Sequence, residues 1–305
     1  MIPTTLILTQ DEIARLATMP MALRVVAETL KAQARGQAVM PPKIYLPLPG
    51  GSDFRAMPAY LKRPAICGIK WVNVHPHNRT LGLPTVMATV ILNDPQTGFP
   101  LAVLDGMLLT RLRTGAAAGV AAHALARRES RVVGLVGCGA QALYQLLALI
   151  ENFRLERINV WGHRPGEAQR FCAQARRHLS VGCRPVKTVE ACVREADLIV
   201  TITSSRRPLV KRQWVRPGTH INAVGADAPG KQELDPAILR EATVVVDDRR
   251  QALHGGELNV PVAKGLFNPT RIHAALGEVL IGRAAGRRRK KEITVFDSTG
   301  MAIHD

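Results

Sequence analysis

The spacing of apolar residues changes near residue 131, and the two parts of the chain predict different structures. In the first part, Asp11–Ala34 has helical spacing, and Pro, Gly and Asn then separate a series of short strand-like runs. These runs are Lys43–Leu48, Phe54–Leu61, Ala65–Val74, Val86–Asn93 and Phe99–Leu104. Such runs predict a largely antiparallel sheet. Asp105 is then predicted to cap a long Ala-rich helix, Gly106–Arg127.

From residue 131 onwards, short apolar strands alternate with helices. The predicted strands are Val132–Val136, Arg157–Trp161, Asp197–Thr201, Thr219–Ala223, Thr243–Val246 and Glu292–Phe296. The predicted helices are one that ends at Ile150, Gly166–His178 and Leu234–Glu241. Strands that alternate with helices predict an α/β fold with a doubly wound parallel sheet.

A glycine-rich motif lies between the first of these strands and the helix after it. Residues 137–142 read Gly-Cys-Gly-Ala-Gln-Ala and fit the pattern G-x-G-x-x-G/A. The first glycine permits a tight turn, the second lets the backbone approach a pyrophosphate, and the final alanine allows close packing. The helix N-terminus offers free N–H groups to phosphates. We therefore predict a dinucleotide site rather than a simple turn, with binding residues Gly137, Gly139, Ala140 and Gln141.

The segment after the second strand bears on which dinucleotide is bound. An acidic residue there accepts hydrogen bonds from the ribose hydroxyls of NAD(H), whereas a nearby arginine accommodates the 2′-phosphate of NADP(H). This chain has Gly162, His163 and Arg164 at that place and lacks the acid. We expect a Rossmann cofactor site for NADP(H) or NAD(H), with NADP(H) favoured. The alternative is that both cationic side chains are merely solvated and NAD(H) binds.

Motifs along nearly the whole chain resemble those of the ornithine cyclodeaminase/μ-crystallin family. They are Pro41–Lys43, Arg55–Ala59, Gly68–Asn73, Leu83–Thr85, Thr97–Ala102, Leu109–Ala116, Gly225–Leu234, His254–Val260 and Phe296–Gly300. Within that family the likeness is greatest to the archaeal-type alanine dehydrogenases.

The resemblance implies a homodimer with two domains in each subunit. Residues 1–112 plus 277–305 would form an α+β substrate-binding and dimerisation domain, and residues 113–276 would form an inserted Rossmann domain. Catalysis would take place between them. Members of the family usually continue past the position of Asp305 into a further helix.

The resemblance also assigns roles to cationic residues of the first part. The catalytic lysine of the family matches Lys70, where partial burial beside other cations would lower the pKa of the amine towards working pH. Arg55 offers a planar fork that can bind a substrate carboxylate, and Lys43 can add a point charge. Arg113 is expected to contact both the dinucleotide and the substrate. Without the resemblance, Lys70 is interpreted as a surface lysine on an edge strand, and Arg55 and Lys43 are interpreted as solvated charges.

A second group of matches follows the later strands. Asp227 is expected to face the substrate amine and assist proton transfer, although a turn-forming role is equally compatible with its position. Lys231 and Ser298 match family positions near the nicotinamide, and Gly225, Ala226 and Asp227 are also expected to bind the cofactor. His254 and Glu257 are interpreted as supporting residues rather than catalytic ones.

Three activities share such a scaffold. They are an alanine-dehydrogenase-like interconversion of a small 2-oxo acid, ammonia and an L-amino acid, the reduction of a cyclic imine such as 1-pyrroline-2-carboxylate, and ornithine cyclodeamination. The cyclodeaminases carry a glutamate at the position of Arg55. A cation there repels the distal ammonium of ornithine, so we rank that activity last. A dinucleotide-dependent binding protein without turnover is a further alternative.

Composition and charge exclude further classes of protein function. The chain of 305 residues carries 41 basic and 24 acidic side chains, which gives +17, and 47% apolar residues are typical of a globular protein. With 4% aromatic residues and no recognition motif, we expect a solvated basic surface rather than a nucleic-acid partner. The basic cluster at 287–291 is interpreted as a solvated turn. We expect no signal peptide, no membrane span, no metal site at His75 and His77, and a cytoplasmic location.

Overall fold

The structure is a computed structural model that describes residues 4–305. It divides into two compact units. The first comprises the chain up to Arg113 together with Met301–Asp305, and the second comprises Thr114–Gly300. The second unit is therefore inserted between two segments of the first. The division differs from the expected one at its C-terminal boundary, because most of residues 277–305 belong to the second unit.

The first unit contains a seven-stranded sheet. Its strands are β1 (Leu6–Leu8), β2 (Ala38–Val39), β3 (Ile44–Leu48), β4 (Ser52–Lys62), β5 (Ala65–Val74), β6 (Val86–Asn93) and β7 (Pro100–Asp105). Its helices are α1 (Gln10–Leu16) and α2 (Met19–Ala34), with 3-10 turns at Pro49–Gly51, Pro76–Leu81 and Ala302–His304. The helix α3 (Gly106–Leu125) contains the boundary to the second unit.

The strands of this sheet lie in the order β1-β7-β6-β5-β4-β2, with β3 also paired to β4. Every pairing is antiparallel except β1 with β7, so the expected largely antiparallel sheet is confirmed. Asp105 caps α3 as predicted, since its Oδ1 accepts a hydrogen bond from the N–H of Met107 at 2.9 Å.

The two faces of this sheet differ because side chains alternate along each strand. One face is buried and includes Met57, Val72 and Val90. The other face carries apolar side chains that are exposed in the single chain, and we call it the apolar face. Its exposed apolar members are Ile7, Val39, Ile44, Leu46 and Trp71.

The second unit contains an eight-stranded sheet. Its strands are β8 (Val132–Val136), β9 (Arg157–Trp161), β10 (Cys183–Pro185), β11 (Leu198–Thr201), β13 (His220–Ala223), β15 (Thr243–Val246), β16 (Ile272–Ala275) and β17 (Thr294–Asp297), while β12 (Arg206–Val210) and β14 (Gln232–Leu234) form a separate pair. The α-helices after α3 are α4 (Ala142–Ile150), α5 (Glu167–Ala175), α6 (Val189–Val193), α7 (Pro236–Glu241), α8 (Arg249–Gly255), α9 (Asn259–Ala263) and α10 (Leu276–Leu280), with 3-10 turns at Arg212–Trp214 and Pro269–Arg271.

All pairings of the large sheet are parallel, in the order β10-β9-β8-β11-β13-β17-β15-β16. The chain runs outwards from β8 to β10 and then returns to the other side of β8 with β11. This reversal defines a doubly wound sheet with its switch point between β8 and β11. The α/β fold class predicted from the alternation is confirmed.

The strand β17 explains why the division into units differs from the expected one. It lies inside the parallel sheet, between β13 and β15, and its residues are fully or almost fully buried. Residues 294–297 are thus core residues of the second unit. The chain returns to the first unit only at Met301.

Local capping accounts for a second difference from the sequence prediction. The single helix expected over Asp11–Ala34 is two helices, because Thr18 has an extended backbone and caps α2 by accepting a hydrogen bond from Met21 N–H at 3.4 Å. Pro20 lies in the first turn of α2, where its missing N–H costs nothing. The helix expected from Leu234 likewise begins only at Pro236, after the Asp235 cap.

The basic cluster at 287–291 is a turn that leads into β17. Its first residue, Arg287, points inwards and donates hydrogen bonds to the Leu125 carbonyl oxygen at 2.7 Å and to Thr294 Oγ1 at 3.0 Å. The following four residues are exposed. One of the five charges therefore tethers the turn to the core of the second unit.

Candidate functional site

The buried face of the first sheet positions the predicted cationic residues. Met57 pairs with Lys70, and Arg55 pairs with Val72, across the antiparallel ladder of β4 and β5. Because both pairs share one face, Arg55 and Lys70 are diagonal neighbours on it. Both side chains are buried, with Lys70 only 2% exposed.

The Lys70 amine forms a buried ion pair with a residue that sequence reasoning missed. Lys70 Nζ donates a hydrogen bond to Asp305 Oδ2, and Arg113 Nε donates to Asp305 Oδ1 at 3.0 Å. Arg113 comes from α3, and Asp305 follows the 3-10 turn Ala302–His304, which packs against β4 and α2. One carboxylate thus bridges two cations from distant parts of the sequence.

Burial and neighbouring charges make Lys70 an unusual lysine. Burial of the amine, followed by the charge of Arg113, lowers its pKa to about 7, although Asp305 opposes the shift and Lys43 adds to it. Burial alone would raise the pKa of the Asp305 carboxyl, but Arg113 and Lys70 hold it below its usual range. The amine can therefore both hold and release a proton near neutral pH.

A neutral histidine lies beside this cluster. His304 is buried, and neither of its ring nitrogens has a hydrogen-bond partner among residues 4–305. Burial, and then the charge of Arg113, lowers the pKa of its imidazole to about 3. The ring thus adds no charge to the cluster at neutral pH.

Arg55 is held separately on the same face. Its Nε donates to Asp53 Oδ1 at 2.7 Å and its Nη2 donates to Asp53 Oδ2 at 3.1 Å, while the guanidinium lies 5.2 Å from the ring centroid of Tyr45. These contacts fix the guanidinium in one orientation. Arg55 is thus a preoriented cation. It lies on β4 two residues before Met57, the residue that pairs with Lys70.

In the second unit, the predicted dinucleotide residues all follow carboxyl ends of parallel strands. The loop 137–141 follows β8 at the switch point, which is where doubly wound sheets bind their ligands. Gly137 has a φ of +116°, and a Cβ there would lie 2.7 Å from the Ile202 carbonyl oxygen. Gly139, in contrast, has no heavy atom within 4 Å of the place of a Cβ. The space in front of Gly139 is what an approaching pyrophosphate requires.

The turn after β9 contains an acid that sequence reasoning missed. Gly162, His163 and Arg164 follow Trp161 as predicted, but Glu167 in the first turn of α5 reaches back to them. Its Oε2 accepts a hydrogen bond from Arg164 N–H at 3.3 Å and lies 3.0 Å from the place of a Gly162 Cβ. One carboxylate therefore lies against the backbone of this turn.

Buried carboxylates hold the loops at this edge of the sheet. Glu233 accepts hydrogen bonds from Thr203 N–H at 2.7 Å and Gly225 N–H at 2.9 Å, so it ties the loop after β11 to the loop after β13. Glu257 accepts from Glu233 N–H and Leu234 N–H. Burial raises the pKa of both carboxyls. Gly225 must lack a side chain, because a Cβ would overlap the Thr203 carbonyl oxygen.

The remaining predicted residues lie on neighbouring loops of the same edge. Asp227 and Ala226 follow β13 together with Gly225, and Asp227 Oδ1 accepts a hydrogen bond from Lys231 Nζ. Ser298 follows β17, with its Oγ 3.4 Å from Asp247 Oδ2. His254 is exposed on α8. The fold thus collects these loops at one edge but pairs Asp227 with Lys231.

The described residues offer a dinucleotide site but no evident metal site. The open space at Gly139, the start of α4 and the switch-point position together fit a dinucleotide bound along this edge. Within residues 4–305, no three His, Cys, Asp or Glu side chains are grouped as a metal ion would require. No helix in the described part of the chain is both long and apolar enough to cross a membrane.

These features define a dinucleotide-binding α/β protein with a buried lysine site, and comparisons place it in a family. The sequence profile of the ornithine cyclodeaminase/mu-crystallin family matches residues 4–305. An alanine dehydrogenase of Archaeoglobus fulgidus is 51% identical over 302 residues, which cover 99% of this chain and 92% of the relative. The chain belongs to the ornithine cyclodeaminase/mu-crystallin family, and the resemblance noted in the sequence is confirmed.

Solved structures agree with this placement. An archaeal alanine dehydrogenase dimer with bound NAD superposes with a TM-score of 0.94 at 50% identity, covering 98% of this chain and 92% of that one. A Δ1-pyrroline-2-carboxylate reductase of Thermococcus litoralis, in complex with NADH and L-proline, superposes with a TM-score of 0.96 at 33% identity, covering 98% and 94%. Both structures contain a nicotinamide dinucleotide.

Proposed function

We propose that the chain is an NAD(P)-dependent oxidoreductase that acts on the CH–NH2 or C=N group of a small amino acid, in the manner of an alanine dehydrogenase. The observation that carries the proposal is the buried Lys70 amine, bridged to Arg113 by Asp305 and poised to exchange a proton near neutral pH. The first unit would bind the substrate and the second the dinucleotide.

Each group of residues has a part in this chemistry. A bound nicotinamide supplies or accepts the hydride. In the reductive direction, protonated Lys70 would donate its proton to the oxygen or nitrogen of the reacting group, since a positioned acid contributes about 10²–10⁴-fold to the rate. Lys43 and Arg113 would offset the charge of the substrate carboxylate, and Arg55, whose Nε and Nη2 are held by Asp53, would add a preoriented positive charge. Asp227 would bind the amine after exchanging its contact with Lys231.

The dinucleotide would be held along the carboxyl edge of the large sheet. Gly137, Gly139, Ala140 and Gln141 would hold the pyrophosphate at the start of α4. The turn after β9 would contact the adenosine ribose, and the loops after β13 and β17 would contact the nicotinamide end. These last contacts would come from Gly225, Ala226, Lys231 and Ser298.

A substrate panel tests the proposed activity. Pyruvate with ammonia, 1-pyrroline-2-carboxylate, 1-piperideine-2-carboxylate and L-ornithine would each be assayed with NADH and NADPH, or with the oxidised cofactors for ornithine. We expect the highest kcat/KM for pyruvate with ammonia. A higher value for a cyclic imine would favour the reductase alternative, and binding of cofactor with no turnover of any member would favour a binding protein.

Arg55 predicts the result for one member of the panel. It is a buried cation on the same face as Lys70, and a substrate ammonium near it would be repelled. We therefore expect L-ornithine to be the poorest substrate.

The low pKa of Lys70 predicts opposite pH dependences for the two directions. Reduction needs the protonated amine, so its kcat/KM should fall as the pH rises through about 7, the pKa of Lys70. Oxidation of the amino acid needs the neutral amine, so its kcat/KM should rise through the same pH. Initial rates between pH 5 and 9 test this. Profiles that are flat over that range in both directions would contradict it.

We further propose a preference for NADP(H) over NAD(H), supported by the turn after β9. Arg164 in this turn can bind a 2′-phosphate. The negative charge of Glu167 beside it opposes the preference for NADP(H). We expect Arg164→Ala to raise the KM for NADPH about 10-fold, the loss of one charge-assisted hydrogen bond, and to leave the KM for NADH nearly unchanged. Arg154→Ala is the control, because Arg154 is an exposed cation that precedes β9. Equal effects on both cofactors would overturn the preference.

The apolar face supports a homodimer. Ile44 is 63% and Ile7 75% exposed in the single chain, and a contiguous apolar sheet face of this kind indicates a partner surface. We propose that a second copy covers it, and we expect Ile44→Asp to halve the mass measured by sedimentation equilibrium. The control is Leu16→Asp at the end of α1, where the side chain is equally exposed at 63%. A monomeric wild type, or a dimeric Ile44→Asp, would refute this arrangement.

We also propose a cytoplasmic location, supported by the cysteines. All five are free in the structure, and three of them are buried. Unpaired cysteines are typical of a reducing compartment. Cell fractionation tests this, and recovery of the protein outside the cytoplasm would refute it.

A further inference from the structure

We propose that Asp305 is a positioning residue of this enzyme, which fixes the Lys70 amine beside Arg113 and keeps it available as an acid. The inference rests on the proposed function, because it gives Asp305 a part in the chemistry of Lys70. The motifs that carry the family resemblance in the sequence analysis end at Gly300 and do not include Asp305.

The bridging geometry carries the proposal. Both carboxylate oxygens are used, Oδ2 by Lys70 Nζ and Oδ1 by Arg113 Nε at 3.0 Å. The Asp305 side chain is only 2% exposed, so water contributes little to screening these charges. A single carboxylate therefore sets the relative positions of the two cations that the proposed reaction requires.

The backbone that delivers Asp305 is itself anchored. In the turn before it, the side chains of Met301 and Ile303 are buried, and Asp305 N–H donates a hydrogen bond to the Ala302 carbonyl oxygen at 3.1 Å. The turn packs against β4, the strand that pairs with the strand of Lys70. The carboxylate is thus held by packed structure and does not depend on its ion pairs alone.

The groups around Lys70 show why the Asp305 carboxylate affects the protonation of the amine. The charges of Arg113, on α3, and of Lys43, in the segment before β3, both disfavour the protonated form of the Lys70 amine. His304, from the turn itself, is neutral at working pH. Met57 and Val90, which pair with Lys70 on the two neighbouring strands, are apolar. Asp305 is the acid in contact with the amine, and it favours the protonated form that the reductive direction uses.

Two substitutions and a control separate positioning from mere support of the fold. Asp305→Asn keeps the size and removes the charge, whereas Asp305→Glu keeps the charge and displaces it by one methylene. Asp94→Asn is the matched control, since Asp94 is an acid of the turn between β6 and β7 in the same unit. Three quantities are measured for each protein: the titration of Lys70, the dependence of kcat/KM on pH, and the melting temperature. The Lys70 titration is followed by NMR of 13C,15N-lysine-labelled full-length protein, with the signal assigned by its absence in Lys70→Arg.

For Asp305→Asn we expect the Lys70 titration to move to lower pH, because the contribution that raises its pKa is lost. The break in kcat/KM should move in the same direction, and kcat should fall about 10²-fold, as expected when a catalytic group is displaced by about 1 Å. Asp305→Glu should return the titration towards that of the wild type. Asp94→Asn should change neither quantity.

The opposite outcomes overturn the proposal. Equal Lys70 titrations in the wild type and Asp305→Asn, with only a lower melting temperature, would show that Asp305 merely supports the fold. If Asp305→Asn is not recovered folded, Asp305→Glu decides: an unchanged kcat at every pH overturns the positioning role. If the wild type turns over no member of the panel, the proposed function fails, while the two Lys70 titrations still decide whether Asp305 controls the amine.

Discussion

Replacement of Lys70 by alanine is expected to lower kcat by about 10²–10⁴-fold, the contribution of a positioned acid or base. The substitution removes the amine that exchanges protons and leaves the second unit, with its glycine loop, untouched. The dissociation constant for the dinucleotide should therefore stay within about two-fold of that of the wild type. Single-turnover rates and fluorescence titration with NADH or NADPH measure the two quantities separately.

The matched control for this variant is Lys31→Ala. Lys31 is a lysine of the same unit that also forms an ion pair, with Glu28 on α2, but it is partly exposed. Its replacement should change kcat by less than two-fold, because exposed pairs contribute only about 0–1 kcal/mol. Undiminished turnover in Lys70→Ala would remove this lysine from the mechanism, and loss of cofactor binding in the same variant would show that the substitution disturbs more than the proton transfer.

Filling the space at Gly139 is expected to weaken dinucleotide binding strongly while the protein remains folded. Nothing lies within 4 Å of the place of a Cβ, and the backbone there does not have a positive φ, so a side chain causes no internal clash. Gly139→Asp would place both bulk and negative charge where we propose the pyrophosphate. We expect at least a 10²-fold rise in the dissociation constant, that is about 2.7 kcal/mol, with the melting temperature of the ligand-free protein nearly unchanged.

Two further glycines show what each outcome means. Gly182→Asp introduces the same residue in the same unit at another open position, and it should alter neither binding nor stability. Gly137→Ala should behave differently, because its φ of +116° and the contact of 2.7 Å with Ile202 predict strain in the folded chain. Normal dinucleotide binding by Gly139→Asp would exclude this loop as the pyrophosphate site.

Periodicity and turn residues were sufficient to predict most elements of the fold. The strands β5, β6, β8, β9 and β15 have the predicted bounds. The alternation after residue 131 correctly predicts a parallel sheet, because buried parallel strands read as short continuous apolar runs. The prediction of a single helix over Asp11–Ala34 was wrong, since the capping geometry of Thr18 outweighs the continuous apolar period. Short strands such as β10 and β14 carry too few residues to show a period.

Fewer features of the candidate site could be predicted from the sequence. Glycine spacing predicts the loop after β8 from local chemistry, whereas Lys70 and Arg113 were singled out by resemblance to a family. Asp305 lies 235 residues from Lys70 along the chain, and no local pattern relates them. Glu167 differs, because it is a local neighbour of Arg164, three residues away, but it begins α5 and does not lie at the end of β9, where an acid is expected. Tertiary packing alone brings Asp305 to Lys70 and Arg113, and the assigned roles stay predictions.

The position of β17 has a consequence for how the chain folds during its synthesis. The centre of the parallel sheet lacks a strand until residues 294–297 are available, and the first unit lacks the turn that carries Asp305 until a few residues later. Once β15 has been synthesised, a nascent chain would therefore expose an unfilled gap between β13 and β15 until residues 294–297 follow. Contacts of such sequence separation slow folding and prolong the time in which apolar strand edges are open to aggregation. These strand edges are therefore most open to aggregation between the synthesis of β15 and that of β17.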